Sequence, residues 1–146
     1  MSYANKWIKK WEEACIFKAN PQDKKKFFIT FPYPYINLFP HIGHFYSLMR
    51  VEAFARYKRM KGYNVLYPQA WHATGSPMVN AAKRVENGEK KQIEILLDMG
   101  FSKKEIPRFK DPKYWIKVFS EGWKQDLTRA GISIDWRRNF HTTSIN

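Results

Sequence analysis

The strongest constraint on the fold is the stretch from His41 to Met60, which contains no proline and, after Gly43, no glycine. Its mixed apolar and polar pattern predicts a long helix that ends at the residues KGYN. The aromatic and β-branched run KKFFITF precedes this helix and NVLYPQA follows it, and both are typical of short buried strands. Strand, helix and strand in this order predict a β-α-β unit, which almost always crosses over right-handed into a parallel sheet. We therefore expect an α/β fold.

Further elements flank this unit. The segment NKWIKKWEEACIF predicts an amphipathic helix, because its apolar residues recur at intervals of three and four. SPMVNAAKRVENG and EKKQIEILLDMG predict two helices that end at glycine, and DPKYWIKVFSEGWKQDLTRAG predicts a third that starts at Asp111 and Pro112. ISIDWRRNF is interpreted as a last strand. No internal repeat or flexible linker divides the chain.

The amino-acid composition limits which partners and which compartment fit this chain. Lys and Arg number 26 against 13 Asp and Glu, a net charge of +13 that attracts polyanions and favours nucleic acid as a partner. The single cysteine, Cys15, excludes an internal disulfide and is interpreted as a thiol in the core or on a helix face. No apolar run approaches the roughly 20 residues of a membrane span. We expect a soluble, cytoplasmic protein without a membrane partner.

Two histidines, His41 and His44, surround Gly43 where a loop of prolines and aromatics gives way to the long helix. Their spacing places both on one helix face, beside backbone N–H groups that have no intrahelical partner. A helix start at the end of a parallel strand is a suitable phosphate site, and a glycine there lets a flat ligand such as adenine approach the backbone. In the alternative interpretation, His41 caps the helix and His44 packs against Trp or Tyr. No metal site is predicted, because His72 is the only loose candidate for a third ligand.

The same segment, with its literal HIGH motif, resembles the class I aminoacyl-tRNA synthetases, in which this motif opens the first helix of the nucleotide-binding fold. KWIKKWEEACIFKANPQDKKKFFITFPYPYIN, RYKRMKGYNVLYPQAWHATGSPMVNAAKRV and the segment from DPKYWIKVF onward are similar to leucyl-tRNA synthetases of the archaeal and eukaryotic branch. WHATGSP looks like the WHxTGTP motif of that branch. The resemblance implies the N-terminal half of a Rossmann-like, HUP-type parallel-sheet domain, incomplete on its own. Residues 1–26 would be a helical extension and residues 27–146 the first half of the catalytic domain.

The resemblance also implies a reaction and a site. Leucine and ATP, with Mg²⁺ as counter-ion, would form leucyl-adenylate, and the leucyl group would pass to the terminal ribose of tRNA(Leu). His41 and His44 would be catalytic and, with Gly43, would bind ATP. The amino-acid pocket would be formed by aromatic residues of the loop and of the second strand: Phe31, Tyr33, Tyr35, Trp71 and His72.

The chain departs from the family's pattern in two ways. Leu38, Phe39 and Pro40 stand where the family usually has a G-x-L sequence, so we expect an altered loop without a positive φ before the first histidine. The lysine-rich KMSKS loop, the editing insertion and the anticodon-binding helices do not occur, so we expect a second polypeptide or a C-terminal half as partner. Two alternative functions remain: a non-catalytic tRNA-binding module and a small nucleotidyltransferase with an HxGH motif.

Overall fold

The computed structural model describes residues 3–144, and its parallel strands and surrounding helices confirm the predicted α/β class. The helices are α1 (Tyr3–Glu13), α2 (Ile42–Met60), α3 (Ser76–Glu86), α4 (Lys90–Asp98) and α5 (Pro112–Arg129). Two 3₁₀ helices lie at Ile106–Lys110 and Trp136–Arg138. The strands are β1 (Lys26–Phe28), β2 (Asn64–Leu66), β3 (Gln69–Trp71) and β4 (Asn139–His141).

The described strands pair in parallel. β1 pairs with β2, with Phe27 opposite Val65, and β3 pairs with β4, with Ala70 opposite Phe140. Since α2 connects β1 to β2, the predicted β-α-β unit is confirmed.

Residues 64–72 contribute one strand to each of the two strand pairs, β2 to the first and β3 to the second. The carbonyl of Leu66 accepts a hydrogen bond from the N–H of Ile29, whereas the carbonyl of Tyr67 accepts one from Asp135, both at about 3 Å. Successive carbonyls of an extended chain point to opposite sides. The segment that contains β1 therefore lies on one side of residues 64–72, and the segment that leads into β4 lies on the other.

Two predicted strands differ from the structure. NVLYPQA forms two strands instead of one, because Pro68 has no N–H to donate to a ladder and interrupts the pairing after Tyr67. ISIDWRRNF contributes a strand only from Asn139 onward. Its first part is buried but lies in no strand, since the N–H of Ile134 donates to the carbonyl of Ile132 at 2.9 Å, and a 3₁₀ helix capped by the Asp135 side chain follows.

The leading helix is confirmed, but it ends at Glu13, before Cys15 and Ile16. Cys15 has a φ of +54° in the turn that follows and is exposed, so its interpretation as a core or helix-face thiol is wrong. The turn carries the chain back, and Trp11 packs edge-on against Phe17. α1 thereby lies against the chain around Gly131, just beyond the end of α5.

Helix α5 supplies the centre of the core. Its buried residues recur every fourth position and form one continuous stripe: Trp115, Phe119, Trp123 and Leu127. α2 buries Leu48, Glu52 and Ala55 and leaves apolar residues exposed at both ends, with Ile42 85% and Met60 79% accessible. The middle of α2 therefore packs against the core, while both of its ends carry exposed apolar side chains.

Among the described helices, none combines the length and the apolar composition that crossing a bilayer requires.

Candidate functional site

The start of α2 carries a reciprocal cap made by the two histidines. The Nδ1 atom of His41 accepts a hydrogen bond from the N–H of Gly43 at 3.1 Å. The Nδ1 atom of His44 accepts one from the N–H of His41 at 3.2 Å. Two of the backbone N–H groups that we expected to be available to an anion therefore already donate hydrogen bonds to the imidazoles, as in a capping box.

This cap determines which nitrogen of each ring carries the proton. A neutral imidazole has one donor and one acceptor nitrogen, so an Nδ1 that accepts requires a proton on Nε2. Burial lowers the pKa of His44 below its usual value, and the nearby His41 lowers it further. His44 is therefore neutral at pH 7, and its Nε2–H is the donor that remains for a ligand.

Gly43 is needed for the cap. A Cβ at this position would lie 3.0 Å from Cε1 and 3.1 Å from Nδ1 of His41, closer than nearly all real contacts. The glycine thus leaves room for the His41 ring to fold back over the helix start. The alternative interpretation agrees with the structure, because His41 caps the helix and His44 packs against Trp123. One nitrogen of each ring stays outside the cap, and phosphate binding stays a prediction.

The His44 ring is held from behind by α5. The rings of His41 and His44 are 3.8 Å apart, and His44 meets Trp123 edge-on at 4.8 Å. Trp123 in turn contacts Trp71 at 6.0 Å, and Trp71 is fully buried. This row of rings connects the start of α2 to β3 through α5.

The two imidazoles face an open cleft of about 400 Å³ at the end of the first strand segment. Five of the predicted site residues line it: Phe31, Tyr33, Tyr35, His41 and His44. Phe31 is buried, and Tyr35 is 44% exposed. The cleft therefore combines apolar and aromatic walls with two imidazole groups.

The other predicted residues lie beside the cleft. His72 packs edge-on against Tyr35 at 4.3 Å, and its N–H donates to the carbonyl of Pro34 at 2.9 Å. Trp71 lies behind Trp123, and its indole N–H is buried without a hydrogen-bond partner. Gly43 is at the helix start but does not line the cleft. His72 therefore supports one wall through Tyr35, while Trp71 belongs to the core.

Sequence reasoning missed Asn37 and Leu38 as lining residues and Trp123 as a support. Leu38 directly follows the predicted pocket segment, so its place in the cleft could have been inferred from proximity. Trp123 carried no such signal, because it is distant in sequence. Its indole N–H donates to the carbonyl of Leu38 at 2.8 Å, and this bond fixes the loop before His41.

The altered loop is accommodated by packing. Among the described residues other than glycine, Cys15 alone has a positive φ, so the loop residues need no glycine geometry. The Phe39 ring stacks on Phe101 at 6.0 Å and contacts Phe119 at 5.0 Å. Its edge lies against Gly122, which has no side chain to obstruct it. The Leu38–Phe39–Pro40 sequence is thus anchored in the core.

We expect Gly122→Ala to destabilise the chain although alanine favours a helix. The new Cβ would lie 2.3 Å from Cε1 and 2.8 Å from Cδ1 of Phe39, whose ring is confined by two other aromatic rings. Overpacking costs about 1–3 kcal/mol and the gain in helix propensity is about 1 kcal/mol, so the net change in unfolding free energy should be a loss of about 1 kcal/mol. Urea unfolding followed by circular dichroism measures it.

The matched control is the same substitution in a Phe39→Ala background. With the ring removed, only the helix propensity remains, and Gly122→Ala should then be neutral or stabilising. An equal destabilisation in both backgrounds would contradict the packing role of Phe39.

A second cavity, of about 260 Å³, lies between α1 and residues 131–137 and contains none of the predicted site residues. Its walls are mostly apolar, and the guanidinium of Arg137 at its rim donates to both carboxylate oxygens of Asp135, at 2.8 and 2.7 Å. The cleft at His41 and His44 is therefore the better candidate for chemistry.

The parallel α/β fold, with a cleft at the start of its long helix, agrees with the comparisons with known proteins. The family described as "tRNA synthetases class I (I, L, M and V)" matches residues 6–146, and the chain belongs to this family.

Relatives point to one branch of the family. The chain is similar to the leucine–tRNA ligase of Aeropyrum pernix, with 56% identity over 97% of the chain, and to that of Pyrococcus horikoshii, with 46% identity over 96%. It also resembles the agnB2 LeuRS of Agrobacterium radiobacter K84, solved in a ternary complex with tRNA and LeuAMS. That match has a TM-score of 0.76 and 26% identity over 98% of the chain. The chain spans about 15% of the length of each of these proteins.

Proposed function

We propose that the chain is the first part of the catalytic domain of a leucine–tRNA ligase, with residues 1–26 as an extension and residues 27–146 as the nucleotide-binding half. The observation that carries this proposal is the cleft, in which aromatic walls face two imidazoles whose Nε2–H groups lie outside the helix cap. The similarity to archaeal leucine–tRNA ligases supports leucine as the amino acid. ATP with Mg²⁺ and tRNA(Leu) are the other substrates of the proposed reaction, and the cytoplasm is its proposed compartment.

In the first step the leucine carboxylate attacks the α-phosphorus of ATP, the bond to the β-phosphate oxygen breaks, and leucyl-adenylate and pyrophosphate result. Negative charge builds up on the phosphoryl oxygens, and donors already oriented toward that charge stabilise it. His41 and His44 are such donors, because their caps hold the rings and their neutral Nε2–H groups need no proton transfer. A hydroxyl of the terminal ribose of tRNA(Leu) then attacks the leucyl carbonyl carbon, the bond from that carbon to the phosphate oxygen breaks, and AMP leaves.

The amino-acid pocket is the proposed role of the aromatic residues. Phe31 and Tyr33 belong to a proline-stiffened loop, and an apolar wall of this kind suits a branched aliphatic side chain. Tyr35 packs edge-on against His72, which supports its position. Gly43 is proposed to act indirectly, through the position of the His41 ring.

The proposed partner is the rest of the catalytic domain, which carries the lysine-rich loop. Phe28 of β1 is 60% exposed, and α2 exposes Ile42 and Met60. Exposed apolar residues at a sheet edge and on an adjacent helix are typical of a surface that another element covers. The chain spans about 15% of the length of its relatives, which agrees with a partner that supplies the rest of the catalytic domain.

Leucine-dependent exchange of pyrophosphate into ATP tests the function. We expect no exchange with the chain alone and measurable exchange once the remaining part of an archaeal leucine–tRNA ligase is added, because the missing lysine-rich loop completes the phosphate site. Isoleucine in place of leucine is the control. Exchange that does not depend on leucine, or no exchange in the completed enzyme, would contradict the proposal.

A second candidate function is a tRNA-binding module without catalysis, which the charge of +13 favours. Binding of tRNA together with absent exchange in the completed enzyme would favour this function. The third alternative, a small HxGH nucleotidyltransferase, disagrees with the family match, which extends over residues 6–146.

A further inference from the structure

A basic surface lies on the stretch of chain that joins α4 to α5. Residues 103–117 contain six basic side chains and two acidic ones, Glu105 and Asp111. All six basic residues are exposed: Lys103, Lys104, Arg108, Lys110, Lys113 and Lys117. This group is called the basic surface below.

The backbone beneath these side chains is well ordered by packing. The 3₁₀ helix Ile106–Lys110 leads directly into α5, and Asp111 caps α5 by accepting from the N–H of Lys113 at 2.9 Å. The indole N–H of Trp115 donates to the carbonyl of Phe109 at 2.6 Å, and Phe109 is fully buried. The basic residues therefore extend from a rigid framework.

The positive charge of this surface is weakly compensated. The Glu105 carboxylate accepts from the N–H and the hydroxyl of Ser102, at 2.9 and 2.7 Å, and the Asp111 carboxylate serves as a cap. In the part of the chain that the structure describes, none of the ion pairs includes a member of the basic surface. The ammonium groups are thus available to an external polyanion.

The surroundings favour a phosphate backbone over a lipid surface. No large apolar side chain between Ile95 and Phe140 is exposed, so this stretch of chain itself offers no large apolar group to insert into a membrane. The Arg108 guanidinium lies 4.3 Å from the ring centre of Tyr114, which holds it flat against an aromatic face. Basic side chains with an oriented arginine are typical of nucleic-acid backbone binding.

The basic surface is connected to the cleft by α5. From Lys113 to Trp123 the helix rises about 15 Å, and Trp123 is the residue that packs against His44. Phe101, just before the basic surface, stacks on Phe39 of the loop that precedes His41. An RNA strand bound to the basic surface would thus lie within one helix length of the imidazoles.

We propose that residues 103–117 form a binding surface for the RNA backbone, which guides the end of the tRNA to the cleft at His41 and His44. This proposal rests on the proposed function, since it assigns a place to that function's RNA substrate. The contacts are to phosphates, so binding carries no sequence preference and weakens with salt.

The test variant is Lys103→Glu/Lys104→Glu/Lys110→Glu. Its affinity is measured by electrophoretic shift with a labelled tRNA(Leu) transcript and with an unrelated RNA of equal length. Salt is varied from about 50 to about 200 mM, a range over which phosphate contacts weaken strongly. Affinity for both RNAs should fall about tenfold or more, and the slope of log affinity against log salt should decrease by about three, one for each lost contact. Circular dichroism checks that the variant is folded.

The matched control reverses the same number of charges elsewhere, at the exposed residues Lys24, Lys25 and Lys61. It should retain RNA affinity within about threefold, because distant charges are screened. Equal losses in both variants would attribute binding to net charge alone, and unchanged affinity in the test variant would exclude this surface; either result overturns the proposal. Displacement of the RNA by poly-glutamate at equal charge concentration would also overturn it.

The proposed function is tested separately. In the completed enzyme the test variant should keep leucine-dependent pyrophosphate exchange and lose transfer to tRNA at limiting tRNA. If exchange is absent from the unaltered completed enzyme, the proposed function fails, while the comparison of RNA affinities still decides on the basic surface.

Discussion

His44→Ala is expected to lower the rate of leucyl-adenylate formation in the completed enzyme by about 10²–10³-fold, the effect typical of one preorganised donor. The substitution removes the neutral Nε2–H group that lies outside the helix cap. Leucine binding should barely change, because the donor acts on charge that develops in the transition state. Pyrophosphate exchange gives the rate, and leucine affinity is measured by equilibrium binding.

The same substitution also removes the acceptor for the His41 N–H, so it should lower stability by about 1 kcal/mol. His44→Gln separates the two effects, since a glutamine at this position can keep the cap through its carbonyl. We expect His44→Gln to restore the melting temperature while the rate stays low. If the rate recovers together with the stability, or if His44→Ala changes stability alone, the role in phosphoryl stabilisation is wrong and the histidine is only a helix cap.

Glu52→Ala is expected to lower the unfolding free energy by about 3 kcal/mol, the low end of the effect of removing one partner of a buried ion pair, because Glu52 is buried while Arg56 is partly exposed. Glu52 is 3% exposed, forms an ion pair with Arg56, and accepts from the N–H and the hydroxyl of Ser133 at 2.9 and 2.8 Å. Burial lowers the pKa of Arg59, and the charge of Glu52 opposes this shift. Without Glu52, the Ser133 N–H loses its acceptor, Arg56 loses its ion-pair partner, and Arg59 keeps Asp135 but loses the stronger of its two favourable carboxylate interactions.

Guanidinium unfolding followed by circular dichroism measures the loss, and the melting temperature should fall by roughly 10 °C or more. The control is Glu94→Ala on α4, where the side chain is exposed, and it should change the unfolding free energy by less than about 0.5 kcal/mol. Glu52→Gln should lie between the two, since it keeps the shape and loses the charge. A loss below about 1 kcal/mol for Glu52→Ala would mean that α2 is not held through this carboxylate.

The two predictions differ in how far the sequence alone could have led to them. His41, Gly43 and His44 are neighbours on one helix turn, so their mutual geometry follows from local rules, and the helix start was predicted correctly. Phe31, Tyr33 and Tyr35 share the loop that precedes this start, and the cleft they line is likewise a local feature. The hydrogen bond between Glu52 and Ser133 joins residues that are 81 positions apart, so no local sequence pattern predicts it.

The errors in the sequence-based predictions had one distant cause and two local ones. Trp71 was expected to line the pocket, but it is buried behind Trp123 of α5. The apolar pattern of NVLYPQA was compatible with one strand, and Pro68 divides it in two. The free N–H groups expected at the start of α2 are used by the imidazoles, because rings placed three residues apart can reach back to the backbone.

The sequence by itself determined the α/β class, the parallel β-α-β unit, the long helix and the motif that opens it, because hydrophobic period, proline and glycine positions and helix signals act between neighbours in the chain. The tertiary structure alone decided that Trp123 supports His44 and holds the Leu38 carbonyl, and that Gly122 makes room for Phe39. These contacts depend on how close-packed elements meet, since a side chain 79 to 85 positions away in the chain leaves no mark on local periodicity.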